Sequence, residues 1–335
     1  MLSRSATSLT LLGRHLERAD HLARILGVHV ALSLDRTDEP GPDFWIRFME
    51  LAGWPGSNTG RRDQAVEMVV SGTLGPSVRA SVTAARSAAQ AVRPSLPTEL
   101  YEQVNALHWR VQGGGWRPDL YPFLTDVQLT IRLVDGLLED TMPHDEARDF
   151  VRLGKFLERA ANVTAVVTRK SAELAGLGSP RTQGEASEFV GLSPEDTLEW
   201  SAVLKSCFAF ESYQAHYSGG VTPEHVIECL LLDATLPRSA RFSSAVALES
   251  VSRIDGAGRR TRPRRLLARL DSMFERVELH WVADNARDFE TEFRALLRQL
   301  ETAMRETYFH PSKVPANVLG DEGRAMPQQQ QQQQQ

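Results

Sequence analysis

The sequence predicts an all-α protein made of two tandem helical-bundle repeats. Three observations lead there. Apolar residues recur at helical spacing along nearly the whole chain. No run of β-branched residues alternates with polar ones for long enough to form a strand. An eight-residue segment is also written twice: Leu12-Gly13-Arg14-His15-Leu16-Glu17-Arg18-Ala19 returns as Leu153-Gly154-Lys155-Phe156-Leu157-Glu158-Arg159-Ala160. Six of the eight positions are identical and a seventh exchanges Arg for Lys. A match of this length points to internal duplication.

The elements follow in order. Leu9, Leu12, Leu16, Ala19, Leu22, Ala23 and Leu26 draw one apolar stripe, so the first helix runs through the first motif. Asp35 to Pro42 ends it as a loop, and a short helix is expected around Phe44–Met49. Gly53 to Gly60 is rich in glycine and polar residues and reads as a connection. Ala80–Val92 favours helix and stops at Arg93-Pro94. Leu100, Val104, Leu107 and Val111 mark the next helix, which Gly113-Gly114-Gly115 breaks. A helix from about Leu120 to Asp140 leads into the second copy of the motif. Ser193-Pro194-Glu195-Asp196 and Thr222-Pro223-Glu224 each read as a capping hydroxyl, a proline at the first helical position and acids in the first turn. Gly178–Ala186 and Asp255–Arg265 are the most polar internal stretches and are expected to be loops. The terminal run Gln328–Gln335 has nothing apolar to bury.

The duplication extends past the motif. Met1 aligns with Met142 and Ala6 with Ala147 at the same offset. Phe44-Trp45 and Glu199-Trp200 share a Trp, and Ser77-Val78-Arg79 is echoed by Ser239-Ala240-Arg241 at a larger offset, so the second copy carries insertions. The expected division is 1–141 for the first repeat, 142–318 for the second and 319–335 for a disordered Gln-rich tail.

Composition bounds the function. The net charge of −5 argues against a dedicated nucleic-acid binder, which needs clustered Lys and Arg against phosphate. Two cysteines, Cys207 and Cys229, are too few for a disulfide framework. The opening Met1 to Ala6 lacks a secretion signal's apolar core, and no apolar run reaches the ~20 residues that span a bilayer. A cytoplasmic protein without membrane contact is expected. There is no glycine-rich phosphate loop ahead of a helix, no nucleophile motif, and no cofactor or metal signature. His225 and Cys229 lie one turn apart without a third ligand nearby, and a packed Cys is the simpler reading. Asp135, Glu139 and Asp140 form a single acidic cluster, expected at a solvated helix end. Arg259–Arg265 is a basic patch for solvent or an acidic partner. The six Trp residues read as core and interface anchors.

The repeated Glu-Arg dipeptides carry the functional expectation. Neighbours on a helix diverge by ~100°, so Glu17 cannot pair with Arg18, nor Glu158 with Arg159. Each sits beside the apolar stripe, where a charge must find a partner on another helix. Arg79 and Arg241 are expected to serve Glu17 and Glu158. Two readings stay open: a salt-bridge network that fixes helix docking, or a polar pocket in which Arg18 and Arg159 grip a carboxylate or peptide. Direct acid-base catalysis is a third and smaller one.

With these residues in view, the chain resembles the bacterial alpha-E family, a predicted α-helical domain with a Glu-Arg hallmark in tandem. The resemblance rests on Met1–Ala6 followed by Leu12–Ala19, on Thr141–Ala147 before Leu153–Ala160, and on Leu231-Leu232-Asp233 followed by Pro237-Arg238-Ser239-Ala240-Arg241-Phe242. It runs from Met1 to about Phe309. It implies a site drawn from Glu17, Arg18, Arg79, Glu158, Arg159, Asp233, Arg238 and Arg241. Thr10-Leu11, Ser71 and Ser87-Ala88 depart from the family's first-half pattern, which moves the expected ligand site to the second half. The resemblance further implies an accessory, scaffold or peptide-binding role in a peptide synthesis or modification system. Its other members would be an ATP-grasp ligase, a transglutaminase-like protein and an NTN-hydrolase peptidase. The competing class is an enzyme with a carboxylate- or anion-binding active site around the second Glu-Arg motif.

Overall fold

The structure is a computed structural model that describes residues 3–35, 40–176 and 193–309. Among the described residues it is entirely helical, with no strand. The expected loop at Gly178–Ala186 and the glutamine tail lie outside them.

The first half holds α1 (Ser3–Asp35), α2 (Pro42–Leu51), α3 (Arg62–Ser71), α4 (Val78–Ala91), α5 (Thr98–Gln112) and α6 (Leu120–Thr141). The second holds α7 (Glu146–Gly176), α8 (Pro194–Ser206), α9 (Phe210–His216), α10 (Pro223–Ile227), α11 (Ala240–Asp255), α12 (Arg262–Arg276), α13 (Leu279–Asp284) and α14 (Ala286–Met304). The packing is the same in each half. α1, α4, α5 and α6 close a ring in which each helix touches the next, and α7, α11, α12 and α14 close another. The long helices α1 and α7 join the rings by lying against each other. A single apolar core runs through both, from Leu9, Leu12 and Leu26 on α1 to Leu153 and Val167 on α7 and Phe289 and Phe293 on α14.

Local chemistry sets the helix starts. Ser77, Ser193, Thr222, Ser239 and Thr261 each accept a backbone N–H of the first turn that follows. Such a cap contributes roughly 1 kcal/mol by satisfying a donor with no intrahelical partner. The basic stretch differs from expectation. The loop ends at Thr261, and Arg262, Arg264 and Arg265 occupy the first turn of α12. Arg264 and Arg265 reach back to the carbonyls of Arg259 and Arg260, and Arg262 pairs with Glu306. The acidic cluster of α6 is also not a merely solvated end. Asp135 pairs with Lys155 at 2.8 Å, and Glu139 lies between Arg148 and Arg152, so the end of α6 is tied to the start of α7. Of the tryptophans, Trp45, Trp116 and Trp200 are buried, whereas Trp109 and Trp281 are exposed.

Candidate functional site between the paired Glu-Arg motifs

The two copies of the motif face each other where α1 crosses α7, and glycine permits it. A Cβ on Gly13 would lie 2.0 Å from the Val151 carbonyl oxygen, and one on Gly154 would lie 1.9 Å from that of Thr10. The contacts are reciprocal: each glycine meets the carbonyl three residues before the other. Glycine inside a helix costs about 1 kcal/mol relative to alanine. Here the absent side chain lets two backbones touch.

One turn further on, the charges pair crosswise. Arg159 donates from Nε and Nη2 to the two carboxylate oxygens of Glu17, both at 2.7 Å. Arg18 donates from Nε and Nη2 to Glu158 at 2.6 and 3.0 Å. Each dipeptide's acid therefore takes the other's arginine. This corrects the expected partners. Arg241 instead donates to the Leu232 carbonyl and pairs with Glu275. Arg79 sits on the first turn of α4, and its buried Nε has no hydrogen-bond partner among the described residues. The crosswise fork satisfies four donors with four carboxylate oxygens, which a lone arginine from α4 or α11 would not.

The two pairs differ in their arginines. Both acids are buried, Glu17 5% and Glu158 7% exposed, and Arg159 is 6% exposed. Burial works against the Glu17 carboxylate, but the Arg159 guanidinium beside it, with Arg238, holds its pKa down to about 2. Burial likewise opposes the Arg159 charge, and Glu17 raises its pKa nonetheless. The segment after α10 closes the site. Asp233 accepts from the backbone of Thr235 and Leu236 and from the Thr235 hydroxyl. Ser239 donates to the Asp233 carbonyl while capping α11. The turn so built aims the Pro237 carbonyl at Arg159 Nη1, at 3.2 Å. It also brings Arg238 to within 3.6 Å of Glu17 and 3.5 Å of Asp20. The expected role of Asp233 and Arg238 as site residues is thus a closing role.

At the other pair the corresponding positions are Gly75 and Pro76, and nothing reaches across. The Arg18 side chain is 34% exposed and, with Glu158, lines an open cleft of ≈ 700 Å³. Both halves build it: Arg14, His15, His21, Pro76 and Ser81 from one, and Asn162, Thr164, Arg169, Phe293, Arg294 and Leu297 from the other. Trp54 fixes the rim by donating to the Pro76 carbonyl at 2.9 Å. Arg14 reaches Glu301 at 2.8 Å and Glu158 at 3.6 Å, while Arg169 and Arg294 share Glu290. Four residues of the wall carry a buried polar atom with no hydrogen-bond partner: Arg14 Nε, His15 Nδ1, Asn162 Nδ2 and Thr164 Oγ1. These atoms lie behind the cleft surface, and an unsatisfied buried donor or acceptor costs about 1–3 kcal/mol. Burial and the nearby Arg18 and Arg14 charges push His15 down to about 4. Burial also outweighs Glu17 and Asp20 at His21, which falls to about 4. Both rings are neutral at pH 7, each offering one donor and one acceptor.

Of the residues expected at the site, the structure brings Glu17, Arg18, Glu158, Arg159 and Arg238 together, with Asp233 behind them. Arg79 and Arg241 stand apart. The second dipeptide's arginine is sealed, and the open cleft lies between the halves on the Arg18 side, with Glu158 of the second motif in its wall. Sequence reasoning passed over Arg14, His15, Asn162, Thr164, Arg169 and Arg294. The first two lie inside the motif itself, and Asn162 lies one turn beyond Glu158, so that signal was available. Arg294 carries none, because only the fold brings α14 to the cleft. His225 packs its ring on Tyr217, and Cys229 is buried beside it.

No curated protein and no solved structure matches the chain. Residues 1–309 match the family model Alpha-E, described as a predicted alpha-helical domain with a conserved ER motif. The chain carries Glu-Arg dipeptides at Glu17-Arg18 and Glu158-Arg159, and it belongs to the Alpha-E family.

Proposed function

We propose that this protein is a non-catalytic component of a bacterial peptide synthesis or modification system, and that the cleft beside Arg18 and Glu158 binds a peptide through a carboxylate. The observation that carries the reading is the unequal fate of two identical dipeptides. One pair is sealed and serves docking. The other opens onto a cleft with four guanidinium groups and three carboxylates. Arg18 and Arg14 hold Glu158 and Glu301 through one edge and offer their remaining Nη donors to a carboxylate, and Phe293 and Leu297 supply an apolar wall for a side chain. The family resemblance supports the setting: an ATP-grasp-type ligase, a transglutaminase-like protein and an NTN-hydrolase as working partners in the cytoplasm. The ring-on-ring packing and crosswise pairing support an origin of the two halves by duplication.

Binding is tested by fluorescence anisotropy with short peptides carrying either a free or an amidated C-terminus. Saturable binding of the free form alone, lost in Arg18→Ala, is the expected result. Equal behaviour of the two forms removes the carboxylate. The setting is tested by co-purification of the ATP-grasp ligase with the tagged chain from its own host, and its absence argues against the partnership. The enzyme reading has Glu158 as its acid-base group, because the other carboxylate, Glu17, is shut away against Arg159. Turnover of a bound peptide that ceases in Glu158→Gln would favour it.

A further inference from the structure

The cleft beside Arg18 is long, and its charges gather at its two ends. Two helices line it lengthwise, α7 from Glu158 to Arg169 and α14 from Glu290 to Glu301. They run in opposite directions. Arg14 reaches both Glu158 and Glu301 at one end, and Arg169 reaches Glu290 at the other. Each stretch spans eleven residue steps, about 16 Å along a helix axis. Between the two charged ends these helices offer Ala161, Asn162, Ala165 and Leu297, none of which carries a charge.

The two ends are not charged alike. Arg14 and Arg18 meet two carboxylates, Glu158 and Glu301. Among the described residues, Arg169 and Arg294 share one. Arg169 Nε lies 3.4 Å from Glu290 Oε1. Arg294 donates to that same oxygen from Nε at 2.7 Å and pairs with it through Nη2 at 2.6 Å. Two guanidinium groups thus converge on a single oxygen, which sets them near enough to share a second carboxylate as well. Arg169 also donates to the Glu50 carbonyl, which carries no charge. Neither arginine is sealed: their side chains are 28% and 45% exposed. The one surplus cation among the four arginines and three glutamates of the cleft therefore lies at this end.

We infer that the cleft takes a short acidic peptide lengthwise, its terminal carboxylate at Arg14 and Arg18 and an acidic side chain at Arg169 and Arg294. The inference rests on the carboxylate-binding reading above and adds to it a second contact and a spacing. An acidic side chain brings the Arg169 end to two cations and two carboxylates, and arginine suits it because its planar fork matches a carboxylate. An extended chain rises about 3.3 Å per residue, so about five residues separate the two acidic groups of the ligand. The uncharged stretch between the ends accommodates the residues in between.

The test is fluorescence anisotropy on the full-length protein with short labelled peptides of otherwise neutral sequence. One carries a Glu about five residues before its C-terminal residue, a second carries Gln there, and a third carries the Glu next to the C-terminal residue. Each is made with a free and with an amidated C-terminus. Among the free forms, the distal Glu is expected to bind at least about tenfold more tightly than the distal Gln, and the adjacent Glu to bring no such gain. Arg294→Gln is expected to erase the gain. Equal affinity for distal Glu and distal Gln, or an equal gain from the adjacent Glu, overturns the inference while the terminal carboxylate keeps its place. A gain that survives in both Arg294→Gln and Arg169→Gln also overturns it, because the acid then sits elsewhere. Equal behaviour of free and amidated forms in all three peptides removes the carboxylate reading itself, and this inference with it.

Discussion

Gly13→Ala sets two well-known effects against each other, and the structure decides which wins. On helix propensity alone the change should stabilise the protein by about 1 kcal/mol. In place, the new Cβ would sit 2.0 Å from the Val151 oxygen and 3.0 Å from the Val151 carbon and the Lys155 nitrogen, all backbone atoms that cannot swing aside. A comfortable carbon–oxygen contact is about 3.4 Å, so α1 and α7 must part by roughly 1 Å. Leu9, Leu12, Leu16, Leu153 and Leu157 pack at this crossing and are at most 4% exposed. A gap approaching 1 Å forfeits a quarter to a half of each dispersion contact, about 1–2 kcal/mol per buried leucine. Two or three leucines lose that much, less the propensity gain, which leaves a net destabilisation of about 3 kcal/mol. Urea unfolding followed by circular dichroism measures it. Gly154→Ala should cost a similar amount because its contact is the mirror of the first, and the double variant should cost less than the sum, since helices already parted need not part again. A Gly13→Ala protein as stable as wild type, or more so, would refute the close-contact account.

Other expectations follow from single groups. His15, His21 and His29 have pKa values lowered to about 4 by burial, against 6.5 when unfolded. The unfolded chain therefore binds more protons between these values, and stability present above pH 6.5 falls as pH drops toward 4. Urea midpoints at a series of pH values should show that slope, and His21→Gln should reduce it. Ser239→Ala removes both the cap of α11 and the bond to the Asp233 carbonyl at a fully buried position, and should lower stability by about 2 kcal/mol in chemical denaturation.

Much of the fold was legible because helical periodicity and capping residues act locally. The stops at Arg93-Pro94 and Gly113, and the starts at Ser193 and Thr222, lie where chain chemistry puts them. Arg262–Arg265 was read as loop because the stretch from Asp255 is so polar, and three arginines in a first turn do oppose the helix dipole; the Thr261 cap and the burial of Pro263, Leu267 and Leu270 outweigh that. The importance of the Glu-Arg dipeptides was also legible, since a charge beside an apolar stripe needs a partner. Which partner was not. Pairing Glu17 with Arg79 follows from sequence equivalence within each half, whereas the bond that forms crosses between halves, through a helix contact that only Gly13 and Gly154 allow. Nor could the sequence separate the sealed pair from the open one, because that depends on Arg238 closing one side and Gly75-Pro76 leaving the other clear.

The central claim is that two identical dipeptides have different tasks, and a side-by-side measurement on Arg159→Ala and Arg18→Ala tests it most directly. Arg159→Ala strands a Glu17 carboxylate in a sealed site and should lose about 3–5 kcal/mol of stability in urea unfolding. Arg18→Ala leaves the buried Glu158 at the cleft wall with Arg14 3.6 Å away, should lose less, about 1–2 kcal/mol, and should no longer bind the free-carboxylate peptide. Equal losses of stability in the two variants, with peptide binding unchanged in Arg18→Ala, would contradict the account.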